Sequence, residues 1–317
     1  MKYIAAIDAA DAPKAALWAD GVMLTFEDHL IYTNDQRLLI QSLLLDPPQN
    51  EEDLRLCRML YDQTVVWLQQ LESFSRKQLF FRLPDHAVDD FLPVSSDDFE
   101  ALSLYTGHPI SWMREEVEAL RTDEEERLQM GSRMMIGNEH LFRTFLRALM
   151  AAAKQSGFTE IALLLPCVAR CSDTDRMRAI VAECTAHYEI ACALGIEIAT
   201  PRAACYAGYF AEWADFMVFH TEDLAQLLYG MTRRESRKAV SHYLHENSSQ
   251  HNVFIEFDAV GLGTLLNMAV AQIRAVNPSM QLGAIGSPVL NAKGKKFCTD
   301  AGIEMLILPQ TNRKQDA

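Results

Sequence analysis

Ile161-Ala162-Leu163-Leu164-Leu165 runs straight into Pro166, Gly195-Ile196-Glu197-Ile198-Ala199 into Thr200-Pro201, and Phe216-Met217-Val218-Phe219 into His220-Thr221. Each run is continuously apolar rather than alternating, the pattern of a parallel strand covered by helices on its outer face. Stretches of helical character separate them. The same unit recurs outward in both directions. Tyr3–Ile7, Val22–Thr25 and Leu79–Leu83 precede; Leu282–Ile285 and Met305–Leu308 follow, the last stopped by Pro309. Eight such strands with helices between them predict an α/β fold, a (β/α)8 barrel. The structural competitor is a doubly wound open sheet. It is weakened by the absence of a Gly-rich dinucleotide fingerprint after the first strand.

The intervening segments complete this frame. A long helical pattern covers roughly 35–71, interrupted at Pro47-Pro48, and Asn138 stands where it could cap a helix carrying Leu141, Phe142, Phe145, Leu146 and Leu149 on one face. The stretch from about 85 to 130 reads as a helical insertion after the third strand, with Asp123-Glu124-Glu125-Glu126 as a solvated face. With no internal repeat or low-complexity linker, residues 1–317 read as one domain. Hydrophobic residues make up 49% and charged residues 23%, enough for a large core. The formal net charge of −14 comes with no basic cluster, which argues against nucleic acid and anionic membranes as partners. No run approaches the roughly 18–20 apolar residues of a membrane span, and no signal peptide opens the chain, so a cytoplasmic protein is expected. The cysteines Cys57, Cys167, Cys171, Cys184, Cys192, Cys205 and Cys298 lack zinc-type spacing and read as free thiols.

In a barrel of this kind, chemistry belongs at the C-terminal ends of the strands. That criterion selects Phe26-Glu27-Asp28, Arg82 with Asp85, Glu197 with Ala199-Thr200, His220 through Asp223, and Ile285-Gly286-Ser287. Arg82 interrupts an apolar strand, so its guanidinium requires an anionic partner, either a ligand or a carboxylate such as Asp85. Glu222 and Asp223 offer hard oxygen ligands for Mg²⁺, or simply place acids at a helix N-terminus, which favours them.

Taken in order, several short motifs share one likeness. Phe81-Arg82-Leu83-Pro84-Asp85 with Asp90-Phe91-Leu92-Pro93, Gly131-Ser132-Arg133, Thr200-Pro201-Arg202-Ala203-Ala204, His220 to Gln226, Gln250 to Phe254 and Val260-Gly261-Leu262-Gly263 all contribute. Together they resemble the phosphoenolpyruvate/pyruvate-binding TIM barrel of the PEP-utilising enzymes, pyruvate, phosphate dikinase above all and phosphoenolpyruvate synthase less closely. The resemblance implies that arginines bind the phosphate, that a Glu and an Asp hold Mg²⁺, and that a strand-seven cysteine protonates the enolate. It places Arg82 and Arg133 among the substrate-binding arginines, Thr221 in the substrate loop and Asp223 as a metal ligand.

The likeness is partial. Two further arginine positions hold Phe26 and Ile136, the metal-binding Glu position falls on Ala199, and the proton-donating cysteine falls on Ile285. Isoleucine cannot donate a proton. Glu197, two residues earlier on the same strand and so on the same face, or Glu222 beside Asp223, is the candidate replacement ligand. Neither a phosphohistidine context nor a nucleotide loop is visible, and His220, His242 and His251 read as surface or core histidines. The chain ends eight residues after Pro309, so an eighth helix is expected to be missing, exposing an apolar face to a partner protein or a second copy in a homodimer. The expected function is that of a stand-alone, catalytically degenerate barrel binding a small anionic ligand such as phosphoenolpyruvate or pyruvate, or a protein partner. The alternative is an active Mg²⁺-dependent enzyme on the same compounds, either a phosphotransferase half-site or a lyase or mutase.

Overall fold

All eight apolar runs are strands, and they close on one another. In the computed structural model, which describes residues 1–6, 11–25, 34–46, 50–74, 77–122, 130–230 and 255–309, the strands are β1 (Lys2–Ala6), β2 (Gly21–Thr25), β3 (Gln78–Arg82), β4 (Glu160–Leu165), β5 (Ala191–Ile198), β6 (Phe216–His220), β7 (Gln281–Ile285) and β8 (Met305–Pro309). Each pairs in parallel with its sequence neighbour, and β8 returns to β1. β5 begins four residues earlier than its apolar run. Ala191 to Leu194 pair with Glu160 to Leu163 of β4, so the neighbouring strand rather than hydrophobicity sets that boundary.

The period of two along each strand divides the core into two bodies. Outward-facing residues such as Phe81, Leu163, Ile196 and Phe219 pack under the helices as one continuous cluster. Inward-facing residues form a second cluster of Ile4, Met23, Phe80, Ala162, Leu164, Phe216, Val218, Met305 and Ile307, which fills the barrel as side-chain layers. Phe80 and Phe216 meet edge to face there, with ring centroids 5.3 Å apart. Gly195 makes room for this pair: a Cβ at that position would fall inside the Phe216 ring.

The insertion after β3 is helical, as expected, with helices Ser96–Thr106 and Ile110–Thr122. The first opens on a capping box, in which Ser95 Oγ accepts from the Asp98 N–H at 3.1 Å and Asp98 Oδ2 accepts from the Ser95 N–H at 2.9 Å. Asp98 also pairs with Arg37 of helix Asn34–Leu45, and Gln41 of that helix donates to the Phe91 carbonyl at 2.9 Å. These bonds tie the insertion to the β2–β3 connection. Helix Glu139–Gln155 buries the expected Leu141, Phe142, Phe145, Leu146 and Leu149. Asn138 does not cap it; its amide donates to the Met134 carbonyl at 3.0 Å, bridging back to the preceding helix Ser132–Gly137. Phe26 to His29, Asp123 to Glu126, His242, the stretch Gln250 to Phe254 and residues 310–317, where an eighth helix was in question, lie outside the described residues. Among the described residues no helix is long and apolar enough to cross a membrane.

Candidate functional site at the barrel mouth

The alternation that fills the barrel with apolar side chains ends in charge. Two residues after Phe80, the same face of β3 carries Arg82; two after Gly195, β5 carries Glu197; two after Val218, β6 carries His220; two after Gly283, β7 carries Ile285. All four stand at or next to the C-terminal ends of their strands, with Glu197 opposite Val218 and His220 opposite Ile285. This level is the C-terminal mouth of the barrel.

Arg82 is gripped from two sides. Its Nε donates to Glu197 Oε2 at 2.6 Å and its Nη2 to Glu197 Oε1 at 2.8 Å, a fork against a fork, and Nη2 also donates to Asp85 Oδ2 at 2.6 Å. Arg82 is 6% exposed, Asp85 2% and Glu197 0%, so the three charges satisfy one another away from water. Of the two partners weighed for Arg82, the carboxylate is present as Asp85, joined by Glu197.

Asp223 is buried in the first turn of helix Thr221–Leu228, whose N-cap is His220. His220 Nδ1 accepts from the Asp223 N–H at 3.3 Å and stands 3.3 Å from Asp223 Oδ2. Among the described residues, Glu197, His220 and Asp223 form a group whose ligand atoms all lie within 4.8 Å of one another. Glu222 is not part of it. Successive residues on a helix diverge by about 100°, so one of the two acids faces the mouth and the other turns away. Ala199 is buried just past the end of β5, and Glu197 supplies the carboxylate on that face.

Thr221 is fully buried, and its Oγ1 donates to the Ile285 carbonyl at 2.7 Å, clamping the end of β6 to the end of β7. Gly286 follows with φ +112, and a Cβ there would come within 2.8 Å of Thr221 Oγ1, so glycine is required for the clamp to close. Ile285 itself packs on the inner apolar cluster, giving the mouth one greasy wall. Arg133 is half-buried in the first turn of helix Ser132–Gly137. That helix is anchored to the same end of the barrel, because Ser132 Oγ donates to the Pro166 carbonyl at 2.7 Å and the Gly131 N–H to the His86 carbonyl at 3.3 Å.

Two residues of this region were given no role by the sequence reading. His220 was selected with the end of the sixth strand but then set aside as an ordinary core or surface histidine. Cys167 passed as a plain thiol. It follows β4 and Pro166 with φ +50, an unusual conformation for a non-glycine residue. Burial pushes its thiol far up, and the negative charges of Glu197, Asp85 and Asp223 add to the shift, so the sulfur stays protonated at neutral pH.

Residues 2–275 match the family model of the PEP-utilising enzyme, PEP-binding domain. The chain belongs to the PEP-utilising enzyme family. Its relatives include pyruvate, phosphate dikinase of Rickettsia bellii, 24% identical over 84% of this chain and 32% of the relative, and that of Rhizobium meliloti, 25% identical over 93% of this chain and 34% of the relative. The chain therefore spans about a third of the length of these relatives. Among solved structures, pyruvate kinase from Pyrobaculum aerophilum matches with a TM-score of 0.45 and 11% identity, covering 98% of this chain and 66% of that one. The charged mouth of this PEP-utilising enzyme barrel draws on Arg82, Glu197 and Asp223.

Proposed function

We propose that this barrel binds a small carboxylate ligand of the pyruvate or phosphoenolpyruvate type through a divalent cation, and that it does not turn the ligand over by the route its family resemblance implies. The observation that carries the reading is the engagement of Arg82 by Glu197 and Asp85. A guanidinium with two carboxylates already in its fork has little left to offer a phosphate dianion. Among the described residues of the mouth, one such guanidinium stands with the carboxylates of Glu197, Asp85 and Asp223. That balance repels a bare anion and attracts a cation, which in turn accepts a ligand's carboxylate. The donor set suits a cation: Asp223 and Glu197 present oxygens, and each carboxylate oxygen has lone pairs beyond the one given to Arg82. When bound, the cation would supply Lewis-acid polarisation of the ligand's oxygens. Arg133, at the same end, would add the positive charge that orients the ligand. Ile285 would offer its methyls and no proton.

Calorimetric titration with oxalate, a planar mimic of the pyruvate enolate, tests this. Oxalate should bind in the presence of Mg²⁺ or Mn²⁺ and not in their absence, and pyruvate and phosphoenolpyruvate should persist unchanged with the protein. Oxalate binding that ignores the cation overturns the reading. So does robust turnover that Asp223→Ala abolishes.

A second reading, an active cation-dependent enzyme, draws on one observation, the protonated thiol of Cys167 among the mouth carboxylates. A thiol held protonated can reprotonate a strongly basic enolate carbon, so the acid would have moved from strand seven to strand four. Exchange of the pyruvate methyl protons with deuterium, followed by NMR, separates the readings. Exchange lost in Cys167→Ser supports the enzyme, and absence of exchange supports the binder.

A further inference from the structure

We propose that His220 is a ligand of the mouth cation, and that the site therefore selects a first-row transition metal of the Mn²⁺-to-Zn²⁺ group over Mg²⁺. This rests on the reading that the mouth holds a cation and deepens it by naming the cation's class. Glu197, His220 and Asp223 come from the top of β5, the last position of β6 and the first turn of the following helix, and their ligand atoms lie within 4.8 Å of one another. Three donors around one cation at about 2.0–2.2 Å each stand roughly 3–4 Å apart, so side-chain movements on the order of an ångström close a set that lies within 4.8 Å.

The positions are held firmly enough to matter. Glu197 is fixed by the Arg82 fork, His220 by parallel pairing to Ile285, and Asp223 by a helix whose threonine is bonded to the next strand. Among the described residues the imidazole has no shorter polar contact. Its contact with the Asp223 N–H is 3.3 Å, at the long end of the hydrogen-bond range, so ligation costs little capping energy.

The chemistry then selects. Mg²⁺ prefers oxygen ligands and keeps much of its water, whereas imidazole suits Zn²⁺, Fe²⁺ and their neighbours. Two carboxylates and one imidazole make a mixed O/O/N set that also accommodates Mn²⁺. A histidine at the end of β6 thus changes which metal the pocket prefers without removing Asp223.

The test uses the full purified chain, stripped of metal and titrated separately with Mn²⁺, Zn²⁺ and Mg²⁺. Mn²⁺ or Zn²⁺ should bind on the order of tenfold tighter than Mg²⁺ or more. His220→Asn, which keeps a side-chain acceptor for the helix N-terminus, should lose that advantage. In pulsed EPR of the Mn²⁺ form, nitrogen modulation from a coordinated imidazole should be present in the parent chain and absent from His220→Asn. A matching thermal melt for the variant establishes that it is folded. Equal affinity for Mg²⁺ and Mn²⁺, with no nitrogen modulation and no change in His220→Asn, overturns the assignment of His220 while the cation reading stands. Failure of all three metals to bind the parent chain takes down both.

Discussion

The lower and upper halves of the barrel interior are built from the same strands and the same inward-facing positions, yet they are held together by opposite means. Below, Phe80, Phe216, Met305 and Ile4 interlock by shape, with Gly195 admitting the Phe216 ring. Above, one alternation further along β3 and β5, Arg82 and Glu197 interlock by charge. The difference teaches where each half tolerates change. An apolar layer responds to a misfit in proportion to the volume misplaced, whereas a buried ion pair responds in full to the loss of either member.

The largest effect should therefore come from breaking the pair on one side only. Arg82→Met leaves Glu197 buried with its principal partner gone, and should cost about 3–5 kcal/mol in denaturant unfolding. Replacing Glu197 as well, Arg82→Met with Glu197→Met, should recover the share of that loss that falls to Glu197, while Asp85 still loses its bond to the guanidinium. If the double variant is as unstable as the single one, the upper half is not held by the pairing described. The same double variant should lose cation binding even where it regains stability, which separates what the charges do for the fold from what they do for the site.

Next comes the lower half. Gly195→Ala pushes a methyl into the Phe216 ring and should cost about 1–3 kcal/mol by overpacking. Because the clash is steric and two residues below Glu197, the cation titration should remain measurable. A variant that loses cation binding while keeping its stability would show that the two halves are not the separate bodies described. Smaller still is the clamp between β6 and β7. Thr221→Val keeps shape and removes the hydrogen bond to the Ile285 carbonyl, worth about 1 kcal/mol or a fall of roughly 2 °C in the melting temperature.

This same division explains what could be read from the chain beforehand. Strands that are buried on both faces declare themselves as apolar runs, so all eight were legible, and the one clear boundary shift, at Ala191 to Leu194, lies where small residues give little hydrophobic signal and pairing with β4 decides. In the mouth, Arg82, Glu197 and Asp223 were legible because a charge ending an apolar run is conspicuous. Their partnerships were not. Glu197 lies far from Arg82 along the chain, and only closure of the barrel brings the two into one fork. His220 escaped because an imidazole beside an acid is common on any helix N-terminus; what singles it out is Glu197 arriving from the neighbouring strand. Cys167 escaped because its surroundings and its φ of +50 are properties of the folded loop after β4.

The smallest expected change in stability bears on the comparison most finely. Ile285 is the inward residue that ends β7, and it packs on the inner apolar cluster, so the apolar character of the lower half reaches the mouth there. Ile285→Cys removes some buried hydrocarbon and keeps a side chain that behaves as a small hydrophobe, and should cost less than about 1 kcal/mol, since the position is only partly buried. It also restores the thiol that the family resemblance places there. If the missing acid were the sole obstacle to turnover, this variant would process phosphoenolpyruvate in the presence of a divalent cation. The expected outcome is that it does not, because Arg82 remains in the grip of Glu197 and Asp85 and the phosphate still meets a surplus of carboxylates. Turnover gained by Ile285→Cys alone would show that the fork opens when a ligand arrives, and that the charge network of the upper half is a resting state rather than a lock.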